Sequence, residues 1–203
     1  MRIALFGGSF NPPHVGHQLA ALYVLETQNV DELWFVPAFR HPFDKPLVAF
    51  EDRLRMCERA ATALGPRAQV SDIEGALGGP SRTLRTVQTL QARHPEHQFA
   101  LIIGSDLVDQ LDTWSGADEL RQLVSFLVVG RAGHAPTDAA AAEGSAAVAI
   151  PDVSSTEIRA ALAAGQAVGH LVPKSVLDYI ASRGLYGSSP EAPPAPGRVQ
   201  HRS

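Results

Sequence analysis

The sequence is poor in cysteine, in long apolar runs and in positive charge. Cys57 is the only cysteine in 203 residues, so no intrachain disulfide can form, and the reducing cytoplasm is the expected location. The longest apolar runs, at residues 99–104 and 126–130, fall far short of the ~18 residues of a membrane helix. The N-terminus reaches Gly7 too early to contain the ~7–15 apolar residues of a signal peptide. With 17 Lys and Arg against 21 Asp and Glu, the net charge of -4 argues against a nucleic-acid partner, while a homo-oligomer stays open.

What is present is an ordinary globular composition, 45% apolar and 19% charged, with strand and helix patterns that alternate along the chain. Short apolar, β-prone runs predict strands at residues 2–6, 33–36, 68–71, 99–103, 126–129 and 147–150. Apolar residues at helical spacing predict helices at residues 15–25, 50–64, 83–93, 106–111, 117–123, 156–164 and 174–183. This alternation predicts an α/β fold, a Rossmann-like doubly wound parallel sheet with helices on both faces. Residues 188–203 contain four prolines, so we expect a folded domain at 1–187 and a disordered Pro-rich tail at 188–203.

The junction between the first predicted strand and helix concentrates glycine, proline and histidine. The segment reads Gly7-Gly8-Ser9-Phe10-Asn11-Pro12-Pro13-His14-Val15-Gly16-His17, and we expect its first seven residues to form a tight loop. Ligands of open α/β sheets bind beyond the carboxyl ends of the strands, where glycines let a ligand approach the backbone and a helix N-terminus attracts phosphate. His14 and His17 lie three residues apart on one helix face, and Gly16 leaves room beside them. The pair therefore suits charge stabilisation on a phosphoryl group.

Two simpler interpretations of this junction stay open on the residues alone. The histidines could lie on the surface of a glycine–proline turn, or they could bind a metal, although only two ligands are visible locally. The loop is neither Gly-x-Gly-x-x-Gly nor a P-loop with its Lys-Ser/Thr ending. These absences exclude a dinucleotide-dependent dehydrogenase and a Walker-type NTPase.

A second segment, near the end of the predicted domain, gathers hydroxyls and a guanidinium at a helix N-terminus. It reads Ser154-Ser155-Thr156-Glu157-Ile158-Arg159, with either serine placed to cap the helix. Hydroxyls, free N–H groups and the Arg159 guanidinium at one helix end could hold a triphosphate. By itself the pattern is also that of an ordinary capping box.

Together the two segments resemble the (T/H)xGH and SSTxIR signatures of the α/β nucleotidyltransferases, in the same order and more than 130 residues apart. The resemblance extends from about Arg2 to Tyr186. Gly104-Ser105-Asp106 and Leu111-Asp112-Thr113-Trp114 resemble the Gly-x-Asp and Leu-x-x-Trp elements of one branch, the bacterial nicotinate-nucleotide adenylyltransferases. In that branch the carboxylate approaches the nucleotide and the tryptophan packs on the pyridine ring. On the residues alone, Asp106 also fits a helix N-cap and Trp114 a core position.

The resemblance implies transfer of AMP from ATP to nicotinate mononucleotide, which gives nicotinate adenine dinucleotide and pyrophosphate in NAD biosynthesis. Mg²⁺ would be held by the substrates and water, so no protein metal ligand is expected. The implied catalytic residues are His14, His17 and Arg159. The implied ATP-binding residues are Gly8, Ser9, Phe10, His14, Gly16, His17, Gly104, Asp106, Ser154, Ser155, Thr156 and Arg159. The implied acceptor-binding residues are Asn11, Arg40, His41, Lys45, Arg82, Thr83 and Trp114.

One departure from the branch pattern keeps the acceptor open. The segment Ser81-Arg82-Thr83-Leu84-Arg85-Thr86 stands where the branch has Ser-Tyr-Thr-x-Asp-Thr, so Arg82 replaces a tyrosine and Arg85 an aspartate. An added arginine favours the carboxylate of nicotinate over the neutral amide of nicotinamide. The alternatives are the same chemistry on nicotinamide mononucleotide or phosphopantetheine, a non-catalytic nucleotide sensor, and a histidine-based metallohydrolase.

Overall fold

The computed structural model describes residues 1–40, 46–131 and 149–188, which contain six strands in one sheet. The strands are β1 (Arg2–Gly8), β2 (Glu32–Pro37), β3 (Ala68–Val70), β4 (Gln98–Gly104), β5 (Ser125–Arg131) and β6 (Ala149–Ile150). Their spatial order is β3-β2-β1-β4-β5-β6, and every pairing is parallel. This is the strand order of doubly wound dinucleotide-binding folds, so the predicted fold class is confirmed.

The connecting helices match most of the predicted ones. The α-helices are α1 (Val15–Thr27), α2 (Phe50–Thr62), α3 (Ile73–Leu77), α4 (Thr83–Arg93), α5 (Ala117–Leu123), α6 (Ser155–Ala163) and α7 (Lys174–Arg183). The predicted helix at 106–111 is a 3₁₀ helix, Ser105–Thr113, and a second 3₁₀ helix spans Leu185–Gly187. The sequence patterns do not predict α3, because a helix of five residues is too short to show a periodicity.

The expectation that the chain leaves its first strand at Gly7 is wrong. Strand β1 continues through Gly7 and Gly8, which pair with Val36 and Pro37 of β2. Parallel pairing uses only backbone N–H and C=O groups, so the missing side chains do not prevent it. Both glycines therefore lie at the carboxyl edge of the sheet itself, and the loop begins only at Ser9.

Helices cover both faces of the sheet, as expected of a doubly wound fold. Ala4 of β1 belongs to the core under α1, together with Ala21 and Val24 of that helix. Its neighbour Leu5 points to the opposite face, where it joins the core under α4 and α5 with Val87. A third core joins α2, α6 and α7 beside the sheet. None of the described helices is long and apolar enough to cross a membrane.

The strand order reverses between β1 and β4. From β1 the chain moves outward to β2 and β3, whereas from β4 it moves the other way to β5 and β6. The segments that follow β1 and β4 therefore diverge and leave a crevice at the carboxyl edge of the sheet. The predicted tail, apart from Ser188, lies outside the described residues, and the boundary at 187/188 stays a prediction.

Candidate active site

A cavity of about 420 Å³ opens at this crevice and reaches both faces of the sheet. On the α1 face it is lined by His14, Gly16, His17, Ala20, Pro151 and Val153. On the α4 face it is lined by Glu74, Ser81, Thr83, Thr86 and Trp114. Since the two groups belong to helices on opposite faces, a ligand filling the cavity must pass over the edge of the sheet.

Glycines leave the edge of the sheet under the cavity without side chains. Gly7, Gly8 and Gly104 stand at the ends of β1 and β4 and line the cavity. A Cβ at residue 8 would lie 3.0 Å from the Phe10 ring, and one at residue 104 would overlap the Asp106 carboxylate. Asp106 itself is half-buried and lines the cavity, where the resemblance placed it. A ligand can therefore lie directly on the backbone at the sheet edge.

His14 and His17 form a stacked pair at the start of α1. Their ring centroids are 3.7 Å apart with the planes at 29°, and the His14 backbone N–H donates to Nδ1 of His17 over 3.1 Å. This contact assigns the proton of a neutral His17 ring to Nε2, which becomes a hydrogen-bond donor. Phe6 and Phe10 pack edge-on against the same ring, at 5.9 and 4.9 Å between centroids, and hold its orientation. The surface-turn interpretation does not fit, because His14 is only 5% exposed.

Phe10 and Asn11 have supporting positions rather than cavity positions. Phe10 is 1% exposed and adopts φ +45°, a backbone conformation that side chains rarely take. The Asn11 side chain is 2% exposed and accepts hydrogen bonds from Tyr186 Oη at 2.8 Å and from the N–H of Val48 at 3.4 Å. Burial raises the pKa of Tyr186, which keeps this phenol a proton donor. Both residues shape the loop that follows β1.

Arg53 holds the same loop from behind, and the sequence analysis assigned it no site role. Its side chain is 1% exposed, and its guanidinium donates to the carbonyls of Ser9 (3.0 Å), Ala38 (2.6 Å), Phe39 (3.0 Å) and Val48 (3.1 Å). Burial lowers the pKa of Arg53, and no carboxylate among the described residues forms an ion pair with it. A buried cation therefore supports the loop of the cavity through its hydrogen bonds to carbonyl oxygens.

The two signature segments meet in space. Ser155 Oγ donates to the Pro12 carbonyl over 3.0 Å, and Arg159 donates to the Asn11 carbonyl over 2.8 Å. Ser154 caps α6 by accepting from the Glu157 N–H at 3.5 Å. The N-terminus of α6 thus lies against the loop after β1, at the margin of the cavity rather than within its lining.

Of the predicted acceptor residues other than Asn11, two line the cavity, two do not, and two lie outside the described residues. Thr83 and Trp114, both half-buried, line the cavity on the α4 face. Arg40 and Arg82 are exposed and do not line it, and Arg85 turns away to the carbonyls of Leu77 and Gly78, each at 3.1 Å. His41 and Lys45 lie outside the described residues.

A metal site at the histidine pair has no support in the described parts of the chain. Among the described residues, the one group of ligands close enough to share a metal ion consists of His94, Glu96 and His97, whose ligand atoms lie within 4.8 Å of one another. It precedes β4 at Gln98, so it lies at the opposite end of that strand from the cavity. Neither His14 nor His17 belongs to it.

Comparison with known proteins places this site in a family. The sequence model of the cytidylyltransferase-like family matches residues 5–161. A protein of Anaeromyxobacter sp. (strain K) named as a probable nicotinate-nucleotide adenylyltransferase is 48% identical over 187 residues, which cover 91% of this chain and 96% of that protein. A protein of Myxococcus xanthus (strain DK1622) with the same name is 41% identical over 187 residues, covering 92% and 95%.

Solved structures agree on the fold. Plasmodium falciparum nicotinic acid mononucleotide adenylyltransferase complexed with NaAD superposes with a TM-score of 0.78 at 22% identity, covering 92% of this chain and 97% of that one. The same enzyme complexed with APC gives a TM-score of 0.76 at 20% identity and the same coverage. The resemblance drawn from the two signatures is thereby confirmed: the chain belongs to the nicotinate-nucleotide adenylyltransferases, within the cytidylyltransferase-like nucleotidyltransferases.

Proposed function

We propose that this protein transfers AMP from Mg-ATP to nicotinate mononucleotide in the cavity at the β1/β4 edge, in a step toward NAD. The observation that carries this site is the single cavity joining the His14–His17 pair on one sheet face to Thr83 and Trp114 on the other. The product, nicotinate adenine dinucleotide, has the same layout, with two nucleosides joined by a pyrophosphate. Its pyrophosphate would cross the sheet edge over the glycines.

The ATP phosphates bind on the α1 face. His14 and His17 contact the α-phosphate and the departing pyrophosphate, with Nε2 of His17 as a donor. The N-terminus of α6, with Ser154, Ser155, Thr156 and Arg159, binds the β- and γ-phosphates at the cavity margin. Gly104 and Asp106 contact the nucleotide at the end of β4.

The acceptor binds on the α4 face. The indole of Trp114 packs against the flat pyridinium ring, and Thr83 at the first turn of α4 offers its hydroxyl and N–H group. This places the phosphate of nicotinate mononucleotide at the sheet edge, between the two faces.

The reaction is an in-line displacement. A phosphate oxygen of nicotinate mononucleotide attacks the α-phosphorus of ATP, and the bond from that phosphorus to the α,β-bridging oxygen breaks, with pyrophosphate leaving with the electron pair. The attacking phosphate is already ionised, so no general base is needed, and alignment with charge stabilisation carries the rate. Mg²⁺ enters on ATP. The described lining contains only the carboxylates of Asp106 and Glu74, and Glu74 is bound by hydroxyls, which fits an ion held by phosphate oxygens.

The assay that tests this function measures pyrophosphate release from Mg-ATP with three acceptors in parallel. We expect release with nicotinate mononucleotide, with nicotinate adenine dinucleotide as the co-product, and far slower release with nicotinamide mononucleotide or phosphopantetheine. Faster pyrophosphate release with either of the other acceptors would show that nicotinate mononucleotide is not the preferred acceptor. Measurable ATP binding without release from any acceptor would instead show a nucleotide sensor.

Gly16→Ala should lower kcat while the protein stays folded. A Cβ at residue 16 would lie 3.1 Å from Nδ1 and 3.2 Å from Cε1 of His14, so the imidazole must shift. A displacement near the reacting groups costs about tenfold or more in rate. Gly169→Ala is the control, because its Cβ would meet only Leu177 Cδ1 at 3.9 Å. Wild-type turnover in Gly16→Ala, measured beside thermal unfolding, would contradict the role of His14.

Two broader expectations stay predictions, namely a cytoplasmic location and assembly into a homo-oligomer. Cys57 is buried in α2, and burial raises the pKa of its thiol. A protonated, buried thiol is consistent with a packing role in a reducing compartment.

A further inference from the structure

Glu74 is a buried carboxylate that the reaction does not use. It lies in the short helix α3, is 6% exposed and lines the α4 side of the cavity. No Lys, Arg or His among the described residues forms an ion pair with it. A carboxylate without a cation is costly to bury, so its hydrogen bonds must compensate.

Both oxygens of this carboxylate accept hydrogen bonds from one segment. Ser81 Oγ donates to Oε2 over 2.5 Å, and Thr86 Oγ1 donates to Oε1. The Ser81 hydroxyl in turn accepts from the Phe39 N–H over 2.9 Å. Glu74 therefore links α3 to the start of α4 and, through Ser81, to the segment after β2.

The three hydroxyl side chains of the Ser81–Thr86 segment have different roles. The first and the last bind Glu74, while Thr83 between them lines the cavity with Trp114. The outer side of the segment is held differently, because Arg85 donates to the carbonyls of Leu77 and Gly78. Glu74 is thus the anchor on the cavity side, and Thr83 lies between its two attachment points.

We propose that Glu74 is a positioning residue for the acceptor: by holding Ser81 and Thr86, it fixes the start of α4 and Thr83 against the pyridine nucleotide. The proposal rests on the proposed function, since the acceptor bound there is nicotinate mononucleotide. It requires the carboxylate to act on acceptor binding and leave ATP binding on the other sheet face unchanged. Truncation should therefore separate the two Michaelis constants.

The test is steady-state kinetics of Glu74→Ala with each substrate varied in turn. We expect KM for nicotinate mononucleotide to rise about tenfold or more, with KM for ATP changed by less than about twofold. Glu74→Gln keeps one acceptor oxygen for the two hydroxyls, so it should give an intermediate rise. The control is Glu58→Ala, whose carboxylate is 42% exposed and pairs with Arg55 at the surface. A parallel rise in both Michaelis constants, or no rise in either, would overturn the proposal.

Two milder variants keep the test decisive if Glu74→Ala does not fold. Ser81→Ala and Thr86→Val each remove one hydroxyl, and each should raise KM for nicotinate mononucleotide about threefold. In a foldable Glu74→Ala background neither should add a further effect, since all act through one carboxylate. Additive effects on KM for nicotinate mononucleotide, or single variants that leave this KM unchanged, would contradict the positioning role of Glu74. If the wild-type protein forms no nicotinate adenine dinucleotide at all, it is the proposed function that fails.

Discussion

His17→Ala should lower kcat by about 10²–10³-fold, the usual cost of removing one donor aimed at developing charge. The backbone N–H of His14 donates to Nδ1 of His17, so in a neutral His17 ring the proton lies on Nε2, and this ring lines the cavity. Phe6 and Phe10 fix the ring before substrate arrives, so little reorganisation is needed at the moment of reaction. Alanine removes the donor and leaves the cavity otherwise intact.

The folded state should survive this change. The hydrogen bond that His17 accepts from the His14 N–H is worth about 1 kcal/mol, which corresponds to a Tm shift of about 2–4 °C in a chain of this size. Leu22→Ala on the same helix is the control, because Leu22 is 44% exposed and outside the cavity lining. Activity close to that of Leu22→Ala would remove the histidine from the mechanism.

Arg53→Met should cause the largest loss of stability, about 3 kcal/mol or more, because four carbonyls lose one buried donor together. A loss of this size lowers Tm by about 6–12 °C in a chain of this length. Since one of the carbonyls belongs to Ser9, the loop at the cavity should also lose its position. KM for ATP should therefore rise in the fraction that stays folded. Thermal unfolding and ATP kinetics measure the two effects.

The chain offers a matched control two residues away. Arg55 has a side chain that is 63% exposed and pairs with Glu58 at the surface, so Arg55→Met should change stability by less than about 0.5 kcal/mol. Arg53→Lys keeps the charge but cannot reach four carbonyls at once, so its Tm should fall between the two methionine variants. Equal Tm values for Arg53→Met and Arg55→Met would show that the buried guanidinium does not support the loop.

Local patterns in the sequence sufficed to predict the fold and to single out the two histidines that line the cavity. Strand and helix periodicities alternate clearly, and parallel pairing follows from helices between strands. The His14-x-Gly16-His17 spacing places both rings at one helix N-terminus, and the structure brings them to the cavity. No local pattern indicates that this loop contacts Ser155 and Arg159, because the contacting residues are separated by 143 and 148 positions in the sequence. Only the resemblance relates the two segments to one site.

The supporting residues escaped prediction for a physical reason. Arg53 lies in an amphipathic helix where an arginine normally faces solvent, and only the tertiary fold surrounds it with carbonyls. Glu74 lies in a helix of five residues, and its partners Ser81 and Thr86 are ordinary helix-start residues in the sequence. Asn11 is part of the first signature, but its side-chain oxygen accepts hydrogen bonds from Tyr186 and Val48. Such roles depend on which buried polar groups still need a hydrogen-bond partner in the folded chain, and a linear sequence pattern does not show that.

A crystal structure with nicotinate adenine dinucleotide bound tests the central claim most directly, because the product contains both substrates. The account predicts the pyrophosphate over the Gly7–Gly8 edge, within hydrogen-bond distance of His17 Nε2. It also predicts the pyridine ring on the α4 face, between Thr83 and Trp114. A dinucleotide bound outside the β1/β4 crevice, or with its pyridine ring on the α1 face, would contradict the account.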